Sequence, residues 1–318
     1  QMQLRKKPKR CLDIGSNDGL FLKCLKEKYG CNVLGIDAAE APAKYASSTG
    51  IETLSEFFNE DLAADLKTKQ GCFDYISANN VFAHNDDMNG FTRGIANLLP
   101  DGGIFSTEFS YLKDIVEKTL LGTIFHEHLS HHSITSLSRF LENHGLYLFH
   151  AEAVNTQGGA IIAYASKGGR IKKSKDLIKL METEQELGVT TKQYMEKFRQ
   201  NIGELITNFH ASLNQARNGS KRIIGYGASR SSNLLIQWLQ VNNLIDFVVD
   251  NIPEKIGKYY YDSSIQIRSA DEFCLEDGDL IIPLAWVHSE RITAKLIESS
   301  KKITVLEFSP QVKLSRNF

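Results

Sequence analysis

Net charge is nearly absent from this sequence. Its 37 Lys and Arg balance 38 Asp and Glu to leave a formal charge of -1 over 318 residues, so no net field draws the chain onto a polyphosphate backbone or an anionic bilayer. Neither nucleic acid nor membrane is an expected partner. Long apolar runs are missing too. Nothing approaches the roughly 20 residues of a spanning helix, and the basic start, QMQLRKKPKR, has no apolar stretch behind it of the kind a secretory leader carries. The expected address is cytoplasmic. Cysteine is sparse: Cys11, Cys24, Cys31, Cys72 and Cys274 form no Cys-x-x-Cys pair, and most sit among apolar neighbours, so neither disulfides nor zinc is expected from them. Short-period repeats and low-complexity segments are also lacking.

What is present is the composition of a globular chain, 42% hydrophobic and 24% charged, with length enough for two cores. Short apolar runs alternate with amphipathic stretches from Arg10 to about residue 165, the rhythm of parallel strands joined by crossover helices. RCLDIG, NVLGID, YISANN and GGIFSTEF read as strands, with LYLFHAEAV and AIIAYAS following late. Phe21, Leu25 and Tyr29 mark one face of a first helix, and Ile134, Leu137, Leu141 and His144 that of a later one. Between about 172 and 217 the strand pattern stops, while Tyr194, Phe198, Ile202, Leu205 and Phe209 keep a helical period over roughly four turns. After Asn218-Gly219-Ser220 the alternation restarts with KRIIGYGASR, LIDFVVDN, GDLIIPLAW and KITVLEF. The expected class is α/β: a Rossmann-like domain over 1–170, a helical connector over 171–218, and a second, smaller Rossmann-like domain over 219–318.

DIGSNDG, residues 13 to 19, falls where a strand hands over to a helix, so its glycines let the backbone approach a ligand at a helix N-terminus. A nicotinamide fingerprint would read Gly-x-Gly-x-x-Gly. Here Gly15 and Gly19 are separated by Ser16, Asn17 and Asp18, and acidic residues disfavour a pyrophosphate packed on that turn. S-adenosyl-L-methionine carries a sulfonium and no phosphate, and carboxylates attract it. Asp37, 24 residues beyond Asp13 at the end of the second strand, is placed to accept both ribose hydroxyls. The bland alternative is a turn that only packs the helix on the sheet.

HEHLSHHS, residues 126 to 133, sets His126, Glu127, His128, His131 and His132 close together. It follows a strand and precedes a helix, where open α/β sheets bind ligands. A helical metal motif needs histidines four apart, which only His128 and His132 satisfy. A solvated polar loop is the second possibility. Proton transfer is the third and fits best, because an imidazole titrates near neutrality and a neighbouring carboxylate can orient it.

The stretches LDIGSNDG, ANNVFAHNDD, LLPDGGIFSTEFSYL, TIFHEHLSHHS, QGGAI, GYGASR and VVDNIPEKIGKYY occur in this order over nearly the whole chain. Together they resemble the sugar C-methyltransferase family, enzymes that use S-adenosyl-L-methionine to methylate a carbon of a nucleotide-linked ketosugar. The HEH and DNIPEKIGKYY segments are specific to that family, whereas the first glycine turn is shared by many methyltransferases. The resemblance implies a class I methyltransferase domain, His128 as catalytic base, and Glu127 and His84 as its catalytic companions. It places the cofactor on Asp13, Gly15, Ser16, Asn17, Gly19, Asp37, Phe58, Asn79 and Asn80. Substrate would meet His126, Gly158 and Gly159, and, in the second domain, Gly225, Tyr226, Gly227, Arg230 and Asp250. Two positions depart from the family pattern, Phe125 for a tyrosine and Gln157 for a histidine. The family also usually carries a cysteine-rich zinc domain ahead of the first strand; no cysteine pair precedes Arg10 here, so the resemblance is to the family without it.

GYGASR, residues 225 to 230, has Gly-x-Gly spacing after a strand, and Asp250 closes the next strand 23 residues beyond Gly227. Arg230 takes the third-glycine position and offers a bidentate donor to phosphate. Two functions therefore compete with C-methylation: a nicotinamide-dependent oxidoreductase using this turn, and a catalytically silent nucleotide-sugar-binding module.

Overall fold

A computed structural model describes residues 7–168, 171–261 and 263–317; the basic start at 1–6 and the expected domain boundary at 169–170 lie outside them. The chain divides into two compact units. The first comprises residues up to Lys113 together with Glu127–Thr191, and the second comprises Asp114–His126 and the residues from Lys192 onward.

In the first unit the order is β1 (Arg10–Ile14), α1 (Leu20–Tyr29), β2 (Asn32–Ile36), α2 (Glu40–Ser48), β3 (Thr53–Leu54), α3 (Glu60–Gln70), β4 (Tyr75–Ser77), α4 (Met88–Leu98) and β5 (Ile104–Ser110). It continues through the start of α5 (Leu112–Glu117), then α6 (Ile134–Glu142), β6 (Leu146–Val154), β7 (Ala160–Lys167) and α7 (Lys175–Leu187). The sheet runs β3-β2-β1-β4-β5-β7-β6, and only β7 opposes its neighbours. Strand order reverses between β1 and β4, so their carboxyl ends open a crevice. Leu12, Ile14, Ile36, Ile76 and Phe105 of the strands pack with Phe91, Ile95 and Leu98 of α4 in one core. α1 is set one residue away from the expected face: Leu22 is buried with Ala46 and Ile51, Leu25 and Val33 join them, and Phe21 and Tyr29 stay exposed. The left-handed Gly19 that opens α1, packed against Ala46 and Ile51, fixes that rotation.

The second unit contains the end of α5 and the segment to His126, then α8 (Lys192–Arg217), β8 (Arg222–Tyr226), α9 (Ser232–Trp238), β9 (Phe247–Asp250), β10 (Gln266–Ser269), β11 (Asp279–Pro283), α10 (Ser289–Ile297), β12 (Thr304–Glu307) and β13 (Lys313–Arg316). Its sheet runs β10-β9-β8-β11-β12-β13, parallel but for β13. The strand order reverses again, between β8 and β11. α8 is 26 residues long, about seven turns, with Tyr194, Phe198, Leu205, Phe209 and Leu213 buried. The expected connector is thus split: α7 groups with the first unit and α8 with the second. Residues 114–126, expected in the first domain, group with the second unit. Asn201 Nδ2 donates to the Val116 carbonyl at 3.1 Å, and Gly122 lies so close to the Trp286 indole that a Cβ would collide with it. Among the described residues no helix is long and apolar enough to cross a membrane.

The histidine-rich stretch is anchored at its far end. Ser133 caps α6 through a capping box with Ser136, and Glu184 of α7 reaches over to accept the N–H groups of Ile134 and Thr135 at 2.6 and 2.8 Å. Glu184 is 2% exposed, so its charge is balanced by the dipole and free donors of the helix it caps. Glu184→Ala is expected to cost about 2–4 kcal/mol, from two charge-assisted bonds and the donors left unmet. Urea denaturation measures it, and an unchanged midpoint would show the cap to be unimportant.

Candidate active site

The cofactor-side residues converge on the β1–β4 crevice. Asp13 ends β1, is 4% exposed, and its Oδ1 accepts from Ser77 Oγ at 2.6 Å. Burial pushes this carboxyl up to about 7, with the Asp37 charge adding to the rise and the Ser77 donor opposing it. Gly15 takes φ 73°, and a Cβ there would run into Val81. Asn17 is also left-handed, at φ 50°, which aims its N–H at Asp37 Oδ2, 2.8 Å away. Asp37 Oδ1 accepts the N–H of Ala39 at 2.8 Å. Each carboxylate oxygen thus has one backbone donor and keeps acceptor capacity for another. Ser16 Oγ is buried with no partner.

These residues fit an adenosyl cofactor with a cationic centre. Asp37 can accept a ribose diol, the crowded Gly15 turn admits backbone only, and Ser16 holds an orphan hydroxyl whose burial is costly until a polar group meets it. Asn79 and Asn80 form the turn after β4; Asn80 is left-handed at φ 55° and its N–H donates to the Glu108 carbonyl at 2.8 Å. Phe58 is 8% exposed and packs edge-on against Phe91 with centroids 5.2 Å apart. The structure therefore puts Phe58 in the core, and its neighbour Phe57 faces solvent.

His84, His128, His131 and His132 gather in the same unit at the ends of β4 and β5, whereas His126 groups with the second unit. His84 closes a short 3-10 turn, Phe82–His84, and its ring meets that of His128 edge-on at 4.9 Å. His128 in turn meets His131 at 5.9 Å. A small recess is lined by Asn80, His84, Ser110, His128, His131 and His132, among others. Leu129 N–H donates to the Ala83 carbonyl at 2.8 Å, pinning the loop to the turn that carries His84. Burial lowers both His131 and His132 to about 4, so both are neutral imidazoles at physiological pH. His132 is held by Ser130 Oγ at 3.0 Å and by the rings of Phe82 and Phe109. Among the described residues no group of three or more His, Cys, Asp or Glu is arranged to hold a metal. Glu127 is half-buried and His126 exposed. Phe125 lies edge-on to His126 at 6.1 Å. Gln157, Gly158 and Gly159 form the left-handed turn before β7, with φ of 49°, 84° and 149°, and the Gly159 carbonyl accepts from Tyr111 N–H at 3.1 Å.

In the second unit the glycines serve packing. A Cβ on Gly225 would meet Leu284 and Val248, and one on Gly227, at φ 91°, would meet Ala285. The Tyr226 carbonyl accepts from Leu284 and Ala285 at 2.8 and 3.1 Å. Asp250 accepts from Ala228 N–H at 2.6 Å and Ile252 N–H at 2.8 Å. Arg230 is exposed just ahead of α9. Lys255, not among the candidates from sequence, donates from Nζ to the Ala228 carbonyl at 2.7 Å and stands 3.8 Å from Asp250 Oδ2. Its signal was available, as the one cation in DNIPEKIG. Ser77 was also missed, because only the register of β1 on β4 sets it opposite Asp13.

Residues 2–151 match a family model described as a methyltransferase domain. The first unit is accordingly a methyltransferase domain of Rossmann-like α/β fold. Residues 155–305 match a model described as a C-methyltransferase C-terminal domain, and C-methyltransferase NovU of Streptomyces niveus is 27% identical over 290 residues, 88% of this chain and 67% of that relative. The chain is an S-adenosyl-L-methionine-dependent C-methyltransferase, and the matches favour neither the oxidoreductase nor the silent module. Solved structures that resemble part of it include magnesium protoporphyrin IX methyltransferase (ChlM) from Synechocystis PCC 6803 with bound SAH, at 17% identity and TM-score 0.38, covering 50% of this chain and 73% of that one. An S-adenosylmethionine-dependent methyltransferase from Clostridium acetobutylicum ATCC 824 aligns at 14% identity and TM-score 0.41, covering 50% and 84%.

Two outcomes are expected at the cofactor end. Asp37→Ala weakens S-adenosyl-L-methionine binding by about 1–3 kcal/mol in titration calorimetry, since charge-assisted bonds to the ribose are lost; unchanged affinity would place the adenosine elsewhere. Asp13 sets a pH dependence. Its folded value is raised from 3.8 to about 7, so the folded state holds its proton longer than the unfolded one. The stability this contributes is complete at low pH and is lost as pH rises from about 4 to about 7. Asp13→Asn, which can still accept from Ser77, should lose that part of the slope when denaturation midpoints are compared between pH 5 and pH 8.

Proposed function

We propose that this C-methyltransferase acts on a nucleotide-linked ketosugar, with His128 as the base that removes a proton from the carbon beside the ketone. The observation that carries the reading is the edge-on pair of His84 and His128 at the carboxyl ends of the strands, in the same unit as the Asp37 turn. A C–H beside a ketone is acidic only because its conjugate base delocalises onto oxygen. The chain must therefore supply an acceptor for the proton and a donor for the developing oxyanion. His128 is assigned the first task and His84 the second. Glu127, next to His128 in the chain, is assigned to orient an imidazole. S-adenosyl-L-methionine, when bound, supplies a sulfonium methyl as the electrophile for the carbon so activated.

The sugar and the nucleotide rest on the resemblance of the HEH and DNIPEKIGKYY segments to sugar C-methyltransferases, and on the cations of the second unit. Arg230 and Lys255 both lie near the GYGASR turn, which suits a diphosphate better than an uncharged ligand. We assign Gly225, Tyr226, Gly227 and Asp250 to the same substrate region, and His126, Gly158 and Gly159 to the sugar.

His128→Asn should keep the fold and the cofactor affinity yet lose at least about a hundredfold in turnover, the usual size of a general-base contribution. Incubated in deuterium oxide with a nucleoside diphosphate ketosugar and no methyl donor, the wild type should wash deuterium into the position beside the ketone, and the variant should not. Exchange that persists undiminished in His128→Asn would remove it from the mechanism.

A further inference from the structure

His131 and His132 are the histidines of the stretch that the chemistry above leaves unused, and His132 is engaged by Ser130. His131 lines the recess that His84 and His128 also line, yet its Nε2 is buried and has no hydrogen-bond partner. A buried polar atom without a partner costs about 1–3 kcal/mol, and such atoms are rare in folded proteins. The cost is accounted for if the partner exists in only one state of the catalytic cycle.

The surroundings identify that state. The recess measures about 10 Å³, roughly the space of one water molecule. Its ionisable lining residues are His84 from the 3-10 turn and His128, His131 and His132 from the loop; the end of β5 contributes the uncharged Ser110, and the β4 turn contributes Asn80. Glu127 precedes His128 in the chain. His132 is already engaged by Ser130. His84 is exposed, while His131 is half-buried with its Nε2 buried. A neutral imidazole has one donor and one acceptor nitrogen, whereas a protonated one donates from both. When His128 takes the substrate proton on the nitrogen facing the substrate, the N–H on its other nitrogen becomes part of an imidazolium and a stronger donor, which an acceptor on the far side stabilises.

We propose that His131 is a positioning residue for the base, its unpaired nitrogen accepting, across the shared recess, the hydrogen bond of His128 in its protonated form. The ring arrangement suits this, with centroids 5.9 Å apart and planes at 80°, so that the edge of one imidazole meets the other. Burial lowers His131 to about 4, and the neighbouring His128 adds to the lowering. His131 thus keeps its acceptor lone pair at working pH and does not compete for the proton. It raises the basicity of His128 by stabilising the charged form more than the neutral one.

The inference rests on His128 being the base, and the test separates the two. Histidine-selective 13C labelling of the full chain, saturated with S-adenosyl-L-methionine, gives the titration midpoint of His128 by NMR. His131→Leu should lower that midpoint by about one pH unit, a tenfold loss of proton affinity, the size of one charge-assisted hydrogen bond. His131→Gln, whose amide oxygen reaches about as far as Nε2, should restore most of it. His131→Asn, which is polar but too short, should behave like Leu and guards against a leucine variant that does not fold. The acid limb of kcat/KM should move down with the midpoint. A His128 midpoint unmoved by Asn or Leu, or lowered equally by Gln, would overturn the role of His131. If His128→Asn retains turnover, the base assignment fails instead, whatever the titration shows.

Discussion

A carboxylate at the end of a second strand, tied by two backbone N–H groups, is the interaction on which each half of this protein depends. In the first unit Asp37 accepts from Asn17 and Ala39; in the second Asp250 accepts from Ala228 and Ile252. Each carboxylate holds the glycine turn from the preceding strand against the loop that follows its own. Without it those N–H groups would face the crevice unmatched, and the turn would lose the fixed path that lets a ligand approach its backbone. The left-handed conformation of Asn17 is the local strain that this bond maintains.

Chemistry in the first unit is assembled from short connections hung on that frame. The turn after β4 brings Asn80 and His84, and the loop before α6 brings His128 and His131. Neither segment is regular secondary structure along its length. Each is pinned instead: Asn80 N–H to the Glu108 carbonyl, Leu129 N–H to the Ala83 carbonyl, Leu112 N–H to the His132 carbonyl, and the α6 N-terminus to Glu184. A loop held at this many points can keep two imidazole rings in edge contact, which a freely solvated loop could not do without a large entropy cost.

Features encoded by spacing along the chain were legible. Both glycine turns, their acidic partners, the α/β alternation and the apolar period of α8 needed only local pattern, and the structure has each of them. Features encoded by distant pairing were not. Ser77 faces Asp13 through strand register, Glu184 caps a helix 50 residues before it, and residues 114–126 leave the unit that surrounds them in sequence because Trp286 and Asn201 receive them. The rotation of α1 was misread for a related reason: Phe21, Leu25 and Tyr29 are as periodic as Leu22 and Leu25, and only the packing of Gly19 on Ala46 and Ile51 chooses between them. Phe58 carried a family expectation of ligand contact, whereas T-shaped packing on Phe91 explains its burial without a ligand.

The two turns differ in charge more than in shape, and that difference bears on what each can hold. Around the first lie Asp13, Asp18 and Asp37, with no cation among the side-chain bonds of the turn. Around the second, Asp250 has Lys255 at 3.8 Å, and Arg230 stands at the exposed end. Like architecture with opposite electrostatics favours opposite ligands, because a partly buried turn strengthens whichever charge it carries. A sulfonium cofactor matches the first. On the proposed reading a diphosphate matches the second, and Lys255 is what changes the character of its carboxylate: a ribose diol bound at Asp250 would have to compete with an ammonium already at hand, whereas a phosphate would be drawn to it. The same fold can therefore appear twice in one chain without the two copies exchanging ligands.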